Sequence, residues 1–317
     1  MKRQRPLLLV LSLISLSLVP FLPFVRGRNG SAIQRPGPQN ASLKISHRAR
    51  ALQPGEVVLL TVQAAVPLGS VEGNVSGREC LFYPENQQKT RWTSLIGIDL
   101  EAKPGTSRLA VRAKSIQGEA LQDVYDLAIK PKKFPERHVT VDEKFVNPPP
   151  ESLERIGQES RRLEGIFKEN TPERLWQGRF LRPVPGVPTS GFGNRSVING
   201  QPRSPHAGTD FRAPEGTTIT APNSGQVVLS ADLYFTGNTV IMDHGQGLYS
   251  YFAHLSRSVV SEGNVVARGD VLGYVGATGR VSGPHLHWSL RLNNARVDPL
   301  SLVALLASDL EVADSSR

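Results

Sequence analysis

The chain is poor in the residues that mark several common classes of protein. Cys80 is its only cysteine, so there can be no intramolecular disulfide and no thiolate cluster for a structural zinc. The lone thiol reads as a small buried apolar side chain rather than a nucleophile. No basic run is interleaved with aromatic residues, which argues against nucleic acid as a partner. From Gly178 to about residue 300 the sequence also lacks any helical period. That half is therefore expected to be almost entirely β.

What is present begins with Lys2, Arg3 and Arg5, followed by an apolar run from Leu7 to Val25. A basic head on an apolar body reads as a secretory signal over residues 1–27, with Val25 and Gly27 as the small residues of a cleavage site. The run is long for a signal core, so membrane anchoring through residues 7–25 is the alternative. Either way the chain is expected to be exported, to a periplasmic, envelope or extracellular location. Loss of residues 1–27 would lower the net charge from +9 to about +5, because Lys2, Arg3, Arg5 and Arg26 leave without an acidic residue. An excess of that size helps a protein stay near anionic polymers.

Residues 28–42 are rich in Gly, Pro, Asn and Ser and read as a linker. Between 43 and 131, short runs separated by turn signals follow: Glu56 to Val62, Glu79 to Tyr83, Trp92 to Leu100, Arg108 to Ala113 and Val124 to Ile129. Alternation at Ile96, Ile98 and Leu100, and again at Tyr125, Leu127 and Ile129, predicts half-buried antiparallel sheet, and the spacing suggests an immunoglobulin-like β-sandwich. His47, ahead of the first run, and His138, beyond the last, read as surface residues. Residues 132–177 form a linker in which Pro150 can open a helix. Leu153, Ile156, Leu163, Ile166 and Phe167 then share one face. That stripe must pack on a neighbour, or cover a groove. Residues 178–306 form the glycine-punctuated β domain, with strands expected over Thr217–Ala221, Gly225–Ala231, Thr239–Asp243, Leu248–Ala253, Val265–Val275 and His285–Leu292. Residues 307–317 read as a tail.

The chemistry is concentrated in the C-terminal half. One end of it reads P-H-A-G-T-D-F, with His206 and Asp210, and the other G-P-H-L-H-W, with His285 and His287. Imidazole and carboxylate both suit a divalent transition metal such as zinc. In a strand, residues two apart share a face, so His285 and His287 stand about 6.6 Å apart along the backbone, where one can ligate an ion and the other reach the ligand beside it. Gly208 is expected to let the chain bend so that His206 and Asp210 converge. Three protein ligands leave a fourth position open, the mark of a catalytic site. Between the two ends, Tyr-Phe-Ala-His-Leu-Ser places His254 at the end of a strand-like run.

With these motifs, residues 189 to 300 resemble the LytM/lysostaphin-type zinc metallopeptidases. The likeness includes T-S-G-F-G-N-R before the first ligand, D-H-G-Q-G before the middle histidine and the G-A-T-G loop ahead of the last pair. It implies an antiparallel-β peptidase domain holding one Zn2+ per chain on His206, Asp210 and His287, with His254 and His285 as catalytic histidines near the bound water. It also implies the peptide part of bacterial peptidoglycan as substrate. The alternative within the same family is a non-enzymatic relative that binds the wall or activates an amidase, but such relatives typically lack metal ligands and all five positions are intact here. The segments A-P-N-S-G-Q-V-V and E-G-N-V-V-A-R-G-D-V-L-G also resemble biotinyl or lipoyl carrier hairpins. A carrier needs an acceptor lysine, and none occurs after Lys168. Of the other polar residues, His244 reads as structural and Trp288 as packing turned away from His285 and His287. Arg195 is expected to hold a groove loop or meet substrate, and Asn194 does not align with the asparagine that occludes the metal in latent members.

Overall fold

The computed structural model describes residues 42–140 and 148–314. The expected signal or anchor at 1–27 and nearly all of the 28–42 linker lie outside these residues. No described helix is long and apolar enough to cross a membrane.

Alternating apolar and polar residues build the N-terminal half. Its strands are β1 (Leu43–Ala49), β2 (Val57–Ala64), β3 (Leu68–Val75), β4 (Arg78–Leu81), β5 (Tyr83–Pro84), β6 (Arg91–Gly97), β7 (Gly105–Ser115) and β8 (Ala120–Ile129). They form two four-stranded antiparallel sheets, β1-β2-β6-β5 and β4-β3-β7-β8. Leu109, Val111 and Ala113 of β7 turn inward toward Val58, Leu60 and Val62 of β2, so the two sheets share one apolar core. Cys80 lies in that core, where burial pushes its thiol up to about 12. Strands β1 and β3 were not expected: β1 lies within the stretch taken as leading into the sandwich, and His47 is a β1 residue paired opposite Leu60.

A further strand, β9 (Glu136–Val139), precedes a 3-10 turn at Pro150–Ser152 and helix α1 (Leu153–Lys168). The helix begins at the proline because its missing N–H costs nothing in the first turn. The remaining strands are β10 (Pro188–Ser190), β11 (Arg195–Ile198), β12 (Gln201–Pro202), β13 (Gly208–Phe211), β14 (Thr218–Thr220), β15 (Gly225–Leu233), β16 (Gly237–Asp243), β17 (Leu248–Ser258), β18 (Val265–Val266), β19 (Val271–Val275), β20 (Leu286–Leu292) and β21 (Ala295–Val297), before helix α2 (Pro299–Asp314). The run expected over Val265–Val275 is broken into β18 and β19 by a turn at Gly269, whose φ of +93° favours glycine.

One sheet dominates this half, ordered β10-β13-β20-β17-β16-β15-β18, with β21 also paired to β20 and β14 joined through β19 to the end of β17. Burial alternates along β20. Leu286, Trp288, Leu290 and Leu292 face the core, whereas His287, Ser289 and Arg291 face the other side. Each large apolar side chain fully buried here contributes on the order of 1.5–3 kcal/mol. The core also takes in Leu302, Leu305 and Leu306 of α2, and Val57 and Leu95 of the N-terminal half. The opposite face carries the site beside β13 and β20, while farther across it Leu229, Leu233, Ile241 and Tyr249 form a smaller cluster that α1 covers.

Candidate active site

Two neighbouring strands and the loop ahead of them place the first three residues. In the register of β13 with β20, Asp210 stands opposite His287 and Gly208 opposite Ser289. His206 lies in the loop just before β13, its own N–H donating to the carbonyl of Asn194 at 2.9 Å. Their three donor atoms form a nearly equilateral triangle. His206 Nε2 is 3.0 Å from Asp210 Oδ1 and 3.0 Å from His287 Nδ1, and the third edge is 2.9 Å.

Gly208 acts differently from expectation. It lies in regular strand rather than at a bend. A Cβ there would come within 2.7 Å of the His287 ring, so glycine is required by close approach. The convergence of His206 and Asp210 comes instead from the loop entering the strand.

The tautomers follow from the acceptors, because a carbonyl oxygen can only accept. Nδ1–H of His206 donates to Gly191 O at 3.0 Å, that of His254 to Thr278 O at 3.0 Å and that of His285 to Gly283 O at 2.9 Å. Each of these rings therefore keeps Nε2 as its basic nitrogen. His287 is the exception and turns Nδ1 to the triangle. Electrostatics match this convergence. Burial disfavours charge on His206, but the Asp210 carboxylate outweighs it and holds the ring above its ordinary value. Burial wins at His287, which is lowered despite Asp210. Asp210 is itself buried, yet the two imidazoles against its Oδ1 hold its carboxyl well below the usual range.

His254 and His285 stand beside the triangle, with ring centroids 4.8 Å apart, and His285 Nε2 is 4.0 Å from Asp210 Oδ1. Burial pushes His254 down to about 4, so its ring is neutral at neutral pH. His254 also has φ +65°, in the left-handed region that costs a non-glycine residue of order 1–3 kcal/mol. The strain goes with a register shift between β16 and β17, which re-aims the side chain. Asn238 and Thr278 hold the shifted backbone. Asn238 Nδ2 donates to Leu255 O and Ser256 O, and Thr278 Oγ1 donates to Leu255 O. Neither residue was singled out from sequence, although Thr278 sits inside the G-A-T-G loop that was. Tyr251 opens the Tyr-Phe-Ala-His-Leu-Ser motif but was given no role from sequence: it shares the site face, edge-on to His287, with its hydroxyl bonded to Thr236.

The remaining polar residues resolve simply. His244 is fully buried between Ser224 O and Ser250 Oγ and is structural. Trp288 is buried in the core. Arg195 belongs to β11, which pairs parallel with β9, and its side chain is exposed. Asn194 Nδ2 is turned to Ser190 Oγ, 3.4 Å away.

The donor set fits a divalent cation. At bond lengths of about 2.0–2.2 Å, tetrahedral ligand atoms stand about 3.3–3.6 Å apart, slightly wider than this triangle. The carbonyl of Gly191 orients His206 from behind, as outer partners of metal-bound histidines commonly do. Among the described residues, His206, Asp210 and His287 are the one group of this kind.

A half-buried β-sheet presenting a His–Asp–His triangle with two further histidines at its rim is the architecture of a metallopeptidase. Residues 204–299 match peptidase family M23. A crystal structure assigned to peptidase M23 from Pseudomonas aeruginosa is 34% identical, with a TM-score of 0.64 over 80% of this chain and 96% of that one. The chain therefore belongs to peptidase family M23. It is also similar to the DD-carboxypeptidase/endopeptidase Mpg of Neisseria meningitidis, 41% identical over 111 residues, which is 35% of this chain and 25% of the relative. The peptidoglycan DD-endopeptidase ShyA of Vibrio cholerae is 37% identical over 107 residues, 34% of this chain and 25% of the relative. The match spans about a quarter of the length of these curated relatives.

Proposed function

We propose that the protein is a secreted zinc metalloendopeptidase that hydrolyses peptide bonds in bacterial peptidoglycan. The observation that carries the reading is the triangle of His206, Asp210 and His287 with its donor atoms converged within about 3 Å. The names of the Neisseria and Vibrio relatives support the substrate. The basic head and apolar run at residues 1–27 support export.

His206 Nε2, Asp210 Oδ1 and His287 Nδ1 would hold the ion. Zinc at such a site supplies a Lewis acid that polarises a carbonyl and lowers the pKa of water to about 7. Everything else falls to the chain. Burial keeps His254 neutral, and because His254 and His285 each commit Nδ1–H to a carbonyl, both turn Nε2 toward the reacting groups. One of them takes the proton of the attacking water and, once charged, becomes a donor to the carbonyl oxygen or the departing amine. Asp210 stays ionised throughout, which keeps the imidazoles beside it oriented.

The test is digestion of purified peptidoglycan by the full chain, with and without a chelator, with the fragments analysed by mass. Release of peptide fragments that stops on chelation and returns with added zinc is expected. Wall binding with no fragment released by zinc-loaded protein would overturn the reading in favour of a non-enzymatic wall protein.

A further inference from the structure

Beyond His287 the site face of β20 runs on through Ser289 to Arg291, beside Tyr251 and Tyr249 of β17. Helix α1 lies across that end of the face. Leu163, Ile166 and Phe167 pack against the cluster of Leu229, Leu233, Ile241 and Tyr249, which Tyr251 also adjoins, and the Phe167 ring stands edge-on to Tyr249. Between helix and sheet a cavity of about 590 Å³ extends from His287 to Arg291, with Phe167 and Lys168 on its helical wall.

Arg291 is the unusual group in this cavity. Among the described residues its side chain has neither a hydrogen bond nor an ion pair, only the Phe167 ring 5.2 Å from the guanidinium. Burial lowers its pKa. Asp99, the carboxylate that acts on it electrostatically, is bonded to Arg296. Glu164 lines the same cavity from the exposed side of α1 but makes no bond to Arg291. A partly desolvated guanidinium with a free fork of donors is matched by a planar carboxylate.

We propose that Arg291, at the far end of the cavity between α1 and β20, forms a subsite for a free carboxylate of the peptide substrate. The inference rests on the peptidase reading for the identity of the ligand as a peptide. Residues 287 and 291 are about 13 Å apart along a strand, which an extended peptide covers in three or four residues. The carboxylate thus lies that far from the bond cleaved. It belongs to an acidic side chain or to the free C-terminal end, both of which offer the same chemistry.

Three fluorescently labelled peptidoglycan stem peptides separate these sources: unmodified, C-terminally amidated, and amidated at the side-chain carboxyl. Binding to the full chain is read by anisotropy with chelator present, so that nothing turns over. The wild type is expected to lose about tenfold or more in affinity with one of the two amidations, the one that removes the recognised carboxylate. Arg291→Met is expected to bind all three peptides alike and weakly, and Arg291→Lys to recover only part of the preference, because a point charge lacks the fork. A wild type indifferent to both amidations, or binding none of the peptides, overturns the proposal. So does Arg291→Met that keeps the discrimination. Should Arg291→Met fail to fold, the amidation series on the wild type and Arg291→Lys decides. Cleavage assays with zinc on the same peptides keep the two readings apart. Discrimination without cleavage sinks the peptidase and leaves the subsite, and cleavage without discrimination does the reverse.

Discussion

A histidine ring has two nitrogens, and at this site the carbonyl each ring meets decides which one works. Gly191 O, Thr278 O and Gly283 O take Nδ1–H of His206, His254 and His285 and leave three Nε2 atoms facing inward. The difference between holding the ion and moving a proton is then one of position. His287→Ala is expected to abolish both bound zinc and hydrolysis with the fold intact. His254→Ala or His285→Ala is expected to keep zinc while turnover falls, by about 10²–10⁴-fold for a general acid–base group. Elemental analysis beside a hydrolysis assay checks this. Stoichiometric zinc in His287→Ala, or full turnover in both rim variants, contradicts the assignment. The His-x-x-x-Asp and His-x-His spacings were legible in the sequence because residue type and order are local properties. The left-handed backbone at His254 was not, since it depends on Asn238 and Thr278 reaching across from other segments.

Among the elements, the pairing of β13 with β20 makes the site. A one-residue slip would turn Asp210 away from His287, because side chains alternate faces. The same register sets Gly208 against the His287 ring, and no side chain fits there. Gly208→Ala is accordingly expected to displace His287 and weaken zinc binding at least tenfold, as loss of metal-orienting contacts does. Competition with a chromogenic chelator measures it, and unchanged affinity would refute the close-approach role. Behind His206, Phe192 packs edge-on to Phe134, and β9 pairs parallel with β11. The loop bearing Gly191 O is thus propped by a segment that precedes α1. Periodicity does show α1 itself, with Leu163, Ile166 and Phe167 on one face. That the helix borders the cavity beside His287 emerges only from the packing.

In the whole described molecule the two halves are joined by buried charge as well as by Val57 and Leu95. Glu56, 2% exposed, accepts from Arg50, Lys132 and Ser301, and Arg50 reaches on to Asp298. At a second point Arg296 grips Asp99 with Nη2 at 2.8 Å, and Nη2 also bonds Glu101. Burial alone would raise Asp99, but the hydrogen bonds from Arg296 outweigh it and hold the carboxyl at about 2, against an ordinary 3.8. A depressed folded-state pKa contributes stability that is complete above the unfolded value and is lost as pH falls from about 4 toward 2. The contribution is on the order of 2 kcal/mol. Urea unfolding at pH 6 and at pH 2.5 should show Asp99→Asn losing less stability on acidification than the wild type, and equal acid sensitivity in the two would remove the pair from the account.

Residue order by itself determined that this chain is mainly β and that its C-terminal half carries an ordered set of histidines and an aspartate of the kind that suits a metal. Those properties reside in alternation and in short spacings, which neighbouring residues impose on one another. Only the tertiary structure decided that Gly208 serves by its missing side chain, that a register shift aims His254, that α1 walls a cavity ending at Arg291, and that two sequence-distant halves share one core. Each of these depends on groups brought together from positions far apart in the chain, where a spacing in sequence says nothing about distance in space.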